Sequence, residues 1–233
     1  MSGGADVSGG ARRDGERPPG SGYDATPYLP EHGGLAAYRE AAADCRGCPL
    51  FEPATQTVFG EGRDDARIAL VGEEPGDQED RRGEPFVGPA GRMLRKAIED
   101  AGLGDEPAYI TNAVKHFKFE PAERGKRRIH KSPSLREVSA CRPWLDAELR
   151  LLSPELVVAL GATAARALLG SSFRVTKERG TPLPLALPPD GERQATVVAT
   201  LHPSAILRSD DRERAYEGLV ADLRAAARAL AGG

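Results

Sequence analysis

The sequence predicts an α/β fold, a three-layer α/β/α sandwich around a central four-stranded, mostly parallel sheet. Four short runs are almost continuously apolar and rich in β-branched residues, which is typical of parallel strands covered on both faces. Helical patterns separate these runs, and this alternation predicts a sheet with helices on both sides. The strands are expected at Arg67–Val71, Ala108–Val114, Glu155–Leu160 and Ala195–Thr200.

The expected helices lie before, between and after these strands. An alanine-rich helix over Leu35–Asp44 leads into the first pair of cysteines. The remaining helices are expected at Pro89–Ala101, Leu135–Leu152, Thr163–Leu169 and from about Asp211 to Leu230. The first 33 residues are rich in Gly, Pro, Ser and charge, and such a segment buries too little apolar surface to offset its ordering. The sequence therefore predicts a disordered tail over residues 1–33 and one domain over residues 34–233.

Composition limits the classes of function. The chain has 233 residues and a formal net charge of −3, so any polyanion site must come from local clustering of cations. No apolar run is long enough to span a bilayer, and no signal peptide is recognisable at the N-terminus. Three cysteines without a secretion signal argue against a disulfide scaffold. We expect a cytoplasmic monomer that does not bind a membrane.

Polar loops follow three of the four predicted strands. They are "GEEPGDQED" after the first, "KHFKFEPAERGKRRIHK" after the second and "LHPSAILR" after the fourth. Because ligands of such sheets bind beyond the carboxyl ends of the strands, we expect the three loops to form one site.

The second loop surrounds a histidine with cations. His130 is the histidine, and the cations are Arg124, Lys126, Arg127, Arg128 and Lys131. A solvated basic loop that holds phosphates is the simpler interpretation. Nearby positive charge also favours the neutral form of the imidazole, which is its nucleophilic form.

The other loops and strand ends supply further candidates. His202 begins "HPS" just after a strand, where its ring N–H can face a ligand. Gly72 ends a buried strand, so Glu73 and Glu74 begin in the crevice, where carboxylates orient an imidazole, position water or stabilise a cation. Asn112 is polar at the end of an apolar strand and needs hydrogen-bond partners there. For Phe86, stacking on a planar ligand and ordinary core packing are both open.

The cysteines suggest a metal site. Cys45 and Cys48 form a "CRGC" motif, and Cys141 lies far away in "ACRPWL". A redox pair would normally follow a strand, whereas this motif follows a helix. His116 is the available fourth ligand, and thiolates with an imidazole suit either zinc or an iron–sulfur cluster. An inert buried thiol is the alternative for Cys141.

Four motifs together resemble a known family. "GEEPGDQEDRRGEPFVGPAGRML", "YITNAVKHFKF", "KRRIHK" and "LHPSAILR" are similar to the uracil-DNA glycosylase superfamily, above all to its iron–sulfur branch and, within it, to uracil-DNA glycosylase X. The resemblance covers about residues 35–230. It implies a 4Fe-4S cluster held by Cys45, Cys48, His116 and Cys141, with histidine at the fourth position as in the X branch.

The resemblance also implies a reaction on uracil-containing DNA, single-stranded DNA being favoured. A uracil flipped out of the strand would lie in a pocket formed by Gly72, Glu74, Phe86, Asn112 and His202. His202 would stabilise the departing base, which leaves as free uracil, and His130 would attack the anomeric carbon to give a covalent adduct. Glu73 would orient His130, and Asp77 would position groups near the same carbon. The DNA contacts implied are Lys126, Arg127, Arg128, Ser204 and Arg208.

Two alternatives use the same residues differently. A turnover glycosylase would release uracil and leave an abasic site, and a cluster-bearing DNA-binding module would carry out no chemistry. The chain also departs from the X branch in one motif, because that branch usually has "GEQPG" where this chain has "GEEPG". Glu74 therefore places a carboxyl group where the branch has a neutral amide.

Overall fold

The computed structural model describes residues 23–122, 128–188 and 191–232. Its main sheet has six strands in the order β1-β3-β2-β6-β8-β7. Their ranges are β1 Glu61–Gly62, β2 Ile68–Gly72, β3 Ala108–Asn112, β6 Leu156–Leu160, β7 Pro182–Ala186 and β8 Gln194–Thr200. The central strands β3, β2, β6 and β8 are parallel, and β1 and β7 pair antiparallel at the two edges. The predicted four-stranded parallel sheet is confirmed as the centre of this larger sheet.

Eight α-helices surround the sheet within the described residues. They are α1 Leu35–Ala42, α2 Asp77–Arg82, α3 Pro89–Asp100, α4 Leu135–Leu152, α5 Ala162–Leu169, α6 Val175–Glu178, α7 Pro203–Leu207 and α8 Arg212–Ala231. Helix α4 has the predicted bounds, because Ser134 and Glu137 form a capping box at its start. The predicted bounds of α1, α3, α5 and α8 differ from the observed ones by one or two residues.

Two apolar layers enclose the sheet because successive strand residues face opposite sides. In β2, Ile68 and Leu70 pack with α3 and α8, whereas Ala69 and Val71 pack with α4 and α5. A third apolar cluster lies between α1 and α4 and contains all three cysteines. No helix among the described residues combines the length and apolar character that a membrane span needs.

The two remaining strands form a separate hairpin, β4 Phe119–Pro121 and β5 Arg128–His130. In its register His130 pairs with Phe119, and Arg128 pairs with Pro121. The sequence prediction treated this segment as an irregular loop, because three-residue strands leave little pattern to detect. The hairpin matters for function because it carries the candidate nucleophile.

Part of the predicted tail, residues 1–22, lies outside the described residues. The described part of it packs on the domain. A 3₁₀ turn covers Thr26–Tyr28, Ala25 is buried, and the backbone N–H of Ala25 donates to the carbonyl of Ala140 in α4. Residues 25–28 are therefore packed on the domain, although the sequence prediction placed them in a disordered tail.

Candidate active site

A cavity of about 170 Å³ lies at the carboxyl edge of the parallel strands. Residues from the loops after β2, β3 and β8 and from the hairpin meet there, as the sequence predicted for its three polar loops. The side chains around it include Glu74, Glu79, Phe86, Asn112, His130, His202, Ser204 and Arg208. The size suits a single planar ring, and the walls combine one aromatic face with several polar groups.

The inner wall of the cavity is formed by Asn112 and Phe86, which meet over Gly72. A methyl group on Gly72 would lie 2.3 Å from Asn112 Oδ1 and 2.6 Å from Phe86 Cζ, so only glycine allows this approach. Asn112 is buried, and its Oδ1 has no hydrogen-bond partner. An unpaired buried acceptor is costly, which indicates that a donor on a ligand pairs with it.

Phe86 has an unusual backbone. Its φ of 56° is rare for an aromatic residue and indicates a conformation maintained by its surroundings. The surroundings include Gly91, where a methyl group would lie 1.5 Å from the Phe86 carbonyl oxygen. The ring is 5 % exposed, packs on the core and faces His202 at a centroid distance of 5.8 Å. Phe86 thus serves in core packing and as the aromatic wall of the cavity.

His202 presents a ring N–H whose tautomer follows from its contacts. The backbone N–H of Ser204 donates to Nδ1 at 3.1 Å, so Nδ1 is an acceptor and the proton of the neutral ring is on Nε2. Burial lowers the pKa of His202 to about 4, so the ring is neutral at physiological pH. Because the ring is neutral, it offers this oxygen-binding N–H as a hydrogen-bond donor and not as a cation. The Nε2–H can therefore donate to a ligand oxygen that gains negative charge.

His130 lies against two glutamates. The Nε2 atom of His130 is 3.0 Å from Oε1 of Glu74, and ligand atoms of Glu73, Glu74 and His130 all lie within 4.8 Å of one another. Burial lowers the pKa of His130. The nearby Arg208 also lowers it, whereas the Glu73 carboxylate raises it. The sequence predicted Glu73 as the group that orients the imidazole. In the structure Glu74 makes the close contact, and the Glu73 carboxylate accepts a hydrogen bond from the Thr163 hydroxyl at the start of α5.

Arg128 attaches the hairpin to α2. Its guanidinium contacts Asp77 at 2.5 Å and Asp80 at 2.6 Å, and its side chain is only 13 % exposed. It also lies 5.2 Å from the ring centroid of Phe117 and 4.9 Å from that of Phe119. Two carboxylates pair with this guanidinium, and a phosphate contact by Arg128 stays a prediction.

Asp77 takes part in the same anchor. Its carboxylate contacts Arg128 and Arg81, and these hydrogen bonds lower its pKa despite partial burial. Asp77 therefore lies at the base of the hairpin, in contact with Arg128, and its place near the reacting carbon stays a prediction.

The remaining predicted DNA contacts fall into two groups. Ser204 and Arg208 lie at the rim of the cavity, and Arg208 is exposed. Both also border a neighbouring polar cavity of about 450 Å³ beside His130 and Lys131, which is wide enough for a sugar–phosphate segment. Lys126 and Arg127 lie outside the described residues, as does Arg124.

The three cysteines lie together in the apolar cluster between α1 and α4. The indole N–H of Trp144 donates to Cys45 Sγ at 3.2 Å, and the backbone N–H of Lys115 donates to Cys141 Sγ at 3.3 Å. Burial raises the pKa of the Cys141 thiol to about 12, and the other two thiols are near enough to add to this effect. Cysteine thiolates are the usual ligands of iron–sulfur clusters, so three clustered cysteines, two of which accept N–H bonds, are chemically suited to such a cluster.

His116 is suited to be a fourth ligand. The Thr57 hydroxyl donates its one proton to the carbonyl of Ala42, so it accepts from Nε2–H of His116 at 2.8 Å. This leaves the lone pair on Nδ1, and such an outer hydrogen bond is the usual way a ligand imidazole is oriented. Burial lowers the pKa of His116 to about 4, which keeps the ring neutral and able to bind iron.

Lys115 connects the cysteine cluster to the cavity. Its Nζ lies 2.5 Å from Glu148 and donates to the carbonyl of Asn112 at 2.8 Å, and both charged side chains are fully buried. Glu148 also accepts bonds from Thr111, from the Tyr109 hydroxyl and from the Gly60 backbone. All three Nζ protons of Lys115 are used, so this buried ion pair is fully hydrogen-bonded.

Sequence reasoning did not identify four of these supporting residues, namely Glu79, Lys115, Glu148 and Thr163. Thr163 could have been found, because it follows the third strand at the same edge of the sheet. Glu79 accepts a hydrogen bond from the Gly88 N–H at the start of α3, which fixes the loop of Phe86. Nothing in the local pattern marks Glu148, which is one glutamate in a long helix.

The fold and the site together define a class. This is an open α/β protein in which neutral histidines, buried carboxyl groups and an unpaired amide converge on one small cavity at the carboxyl edge, as in enzymes that act on a planar polar group.

Comparison with known proteins identifies the family. Residues 59–224 match the family model of the uracil-DNA glycosylase superfamily, and the chain belongs to this superfamily. It is 37 % identical over 175 residues to a type-4 uracil-DNA glycosylase of Thermotoga maritima, a match that covers 75 % of this chain and 83 % of the relative. It is 32 % identical over 188 residues to the type-4 enzyme of Sulfurisphaera tokodaii, covering 78 % and 80 %. A type-5 uracil-DNA glycosylase of Pyrobaculum aerophilum is 35 % identical over 150 residues, covering 58 % and 62 %.

Proposed function

We propose that this protein excises uracil from DNA, with single-stranded DNA favoured, and is captured by its product as a covalent adduct between His130 and C1′ of the deoxyribose. The observation that carries the proposal is the unpaired Oδ1 of Asn112 inside the cavity. Uracil presents an N3–H donor beside a carbonyl acceptor, which matches the oxygen and the NH₂ of a side-chain amide. Cytosine has the reverse pattern, so in the same orientation its N3 lone pair would face Oδ1 and its amino group would face the NH₂ of the amide.

Base departure is assisted by His202. A flipped uracil that lies against Phe86 and pairs with Asn112 faces the neutral Nε2–H of His202. As the bond between N1 of uracil and C1′ breaks, its electron pair stays on the base, and the negative charge spreads to the carbonyl oxygens. A donor oriented toward one of these carbonyl oxygens stabilises the transition state more than the ground state.

His130 then reacts with the sugar. Bond cleavage leaves an oxocarbenium-like deoxyribose, and a lone pair of the neutral imidazole forms the new bond to C1′. The ring nitrogen that carried hydrogen then loses its proton to a carboxylate or to water, which restores a neutral alkylated imidazole. Glu73 is the proposed acceptor, and Asp77 holds the hairpin in place through Arg128.

DNA binding uses the rim of the site. Ser204 and Arg208 border the polar cavity beside His130, and we propose that Lys126 and Arg127 add phosphate contacts. Affinity should therefore fall as salt rises.

A 4Fe-4S cluster held by Cys45, Cys48, Cys141 and His116 completes the proposal. When bound, it would stabilise the loop that presents the DNA contacts, and a thiolate-ligated cluster can also carry electrons. The histidine ligand and the "KRRIH" segment support placement near uracil-DNA glycosylase X within the superfamily.

Intact-protein mass spectrometry after incubation with a short uracil-containing oligonucleotide tests the proposal. We expect a species with the mass of protein plus oligonucleotide minus uracil. The H130S variant should release uracil and form no adduct. Release without adduct by the wild type would indicate a turnover glycosylase, and neither product would indicate a DNA-binding module. Adduct formation by H130S would refute His130 as the nucleophile.

A further inference from the structure

Glu74 is buried in a way that an ionised carboxylate does not tolerate. Its side chain is 0 % exposed, and neither of its oxygens receives a hydrogen bond of good geometry. The nearby groups that favour its ionised form are the backbone N–H and the ammonium group of Lys118, and they do not outweigh the effect of burial. Burying an unpaired charge is so costly that the group takes up a proton instead.

The charged groups around Glu74 favour the same state. The adjacent Glu73 and, from α4, Glu137 disfavour a second negative charge, while Lys118 before β4 offsets only part of this. Burial is the largest cause, and together they raise the pKa of Glu74 to about 10. Across the cavity, His202 is neutral and Arg208 is exposed to solvent.

The partner of Glu74 is the candidate nucleophile. Nε2 of His130 is 3.0 Å from Oε1 of Glu74, within hydrogen-bonding distance. Because burial lowers the pKa of His130, its ring carries a free lone pair rather than a second proton. The torsion that turns an imidazole ring is soft, so a small rotation aligns this lone pair with a carboxylic O–H.

We propose that Glu74 is a positioning residue that works as a neutral carboxylic acid, donating its O–H to Nε2 of His130 in the free enzyme and to a uracil carbonyl once the base is bound. Both acceptors are within reach because Glu74 and His130 border the same cavity as Asn112. No proton is transferred, since the step exchanges one hydrogen bond for another. The exchange frees the His130 lone pair only when a base is present.

Donation from Glu74 to a uracil carbonyl rests on the proposed function, whereas donation to His130 in the free protein does not. A protonated glutamic acid combines an O–H donor with a carbonyl acceptor, as a side-chain amide combines an NH₂ group with a carbonyl. Glu74 can therefore take the place of the glutamine expected in the related "GEQPG" motif without adding charge beside the base. The E74Q variant is thus the conservative replacement for testing the assignment.

Infrared difference spectroscopy on the full-length protein without DNA tests the protonation. Wild type minus E74Q at pH 7 should show the carbonyl stretch of a protonated carboxylic acid, and the band should disappear with a midpoint near pH 10. E155Q, which removes an exposed glutamate, should leave the band in place. A carboxylate band at pH 7 in the wild type would overturn the proposal, whether or not the protein excises uracil.

Addition of free uracil tests the exchange. The acid band should shift as its acceptor changes from nitrogen to a carbonyl oxygen, and an unmoved band with uracil bound would refute this step.

The pH dependence of adduct formation is a further test. With a uracil-containing oligonucleotide, the rate of adduct formation by the wild type, divided by that of E74Q, should fall about tenfold per pH unit above pH 10. Ionisation of uracil itself affects both variants and cancels in this ratio, and a constant ratio would contradict the inference. Absence of adduct in both variants would refute the proposed function and leave the infrared result to decide the state of Glu74.

Discussion

Substitution of Gly72 tests directly whether the wall formed by Asn112 and Phe86 binds the base. In G72A the new methyl group would lie 2.3 Å from Asn112 Oδ1 and 2.6 Å from Phe86 Cζ, both far inside van der Waals contact. Neither neighbour can easily move, because Asn112 is the last residue of a central strand and Phe86 is packed in the core. Overpacking of this kind costs about 1–3 kcal/mol.

The matched control is G104A. A methyl group there would meet nothing closer than 3.5 Å, so we expect unchanged stability and activity. For G72A, urea unfolding should report a loss of about 1–3 kcal/mol, and inhibition by free uracil should weaken at least about fivefold, since each 1.4 kcal/mol is tenfold in affinity. The measurements are equilibrium unfolding and uracil competition against a uracil oligonucleotide. Wild-type stability and wild-type uracil inhibition in G72A would show that this wall does not bind the base.

Three further outcomes are expected. K115M should cost about 3–5 kcal/mol in urea unfolding, because it leaves Glu148 as an unpaired buried charge, and K115M/E148Q should recover part of this loss. R128K should slow adduct formation at least about tenfold while the exposed R166K does not, because lysine cannot bridge Asp77 and Asp80 as a guanidinium does. Unfolding free energy should decrease as pH falls from about 6.5 to 4, because His202 binds a proton more readily when unfolded, and H202Q should flatten this slope. Equal stability of K115M and K115M/E148Q would contradict the buried ion pair. Equal rates of R128K and R166K would contradict the anchoring by Arg128, and equal pH slopes of wild type and H202Q would contradict the buried neutral state of His202.

Local patterns were sufficient for the centre of the fold. Continuous apolar runs predicted the four parallel strands, and the start expected for α4 at Leu135 agrees with the capping box that Ser134 and Glu137 form in the structure. The edge strand β7 was not predicted, because it contains two prolines, which edge positions tolerate and central strands do not. The two-residue strand β1 is too short to leave a periodic signal.

The sequence alone determined that three polar loops reach one edge of a parallel sheet, because helices between successive strands make those strands run in the same direction. It also supplied the residue types of the site and their resemblance to a family. Only the tertiary structure decided which groups meet there. Arg128 pairs with Asp77 and Asp80, and Glu74 rather than Glu73 contacts His130. These partners are 48 to 56 positions apart in the chain, and contacts at that separation depend on how hairpin, helix and sheet pack, which no local pattern encodes.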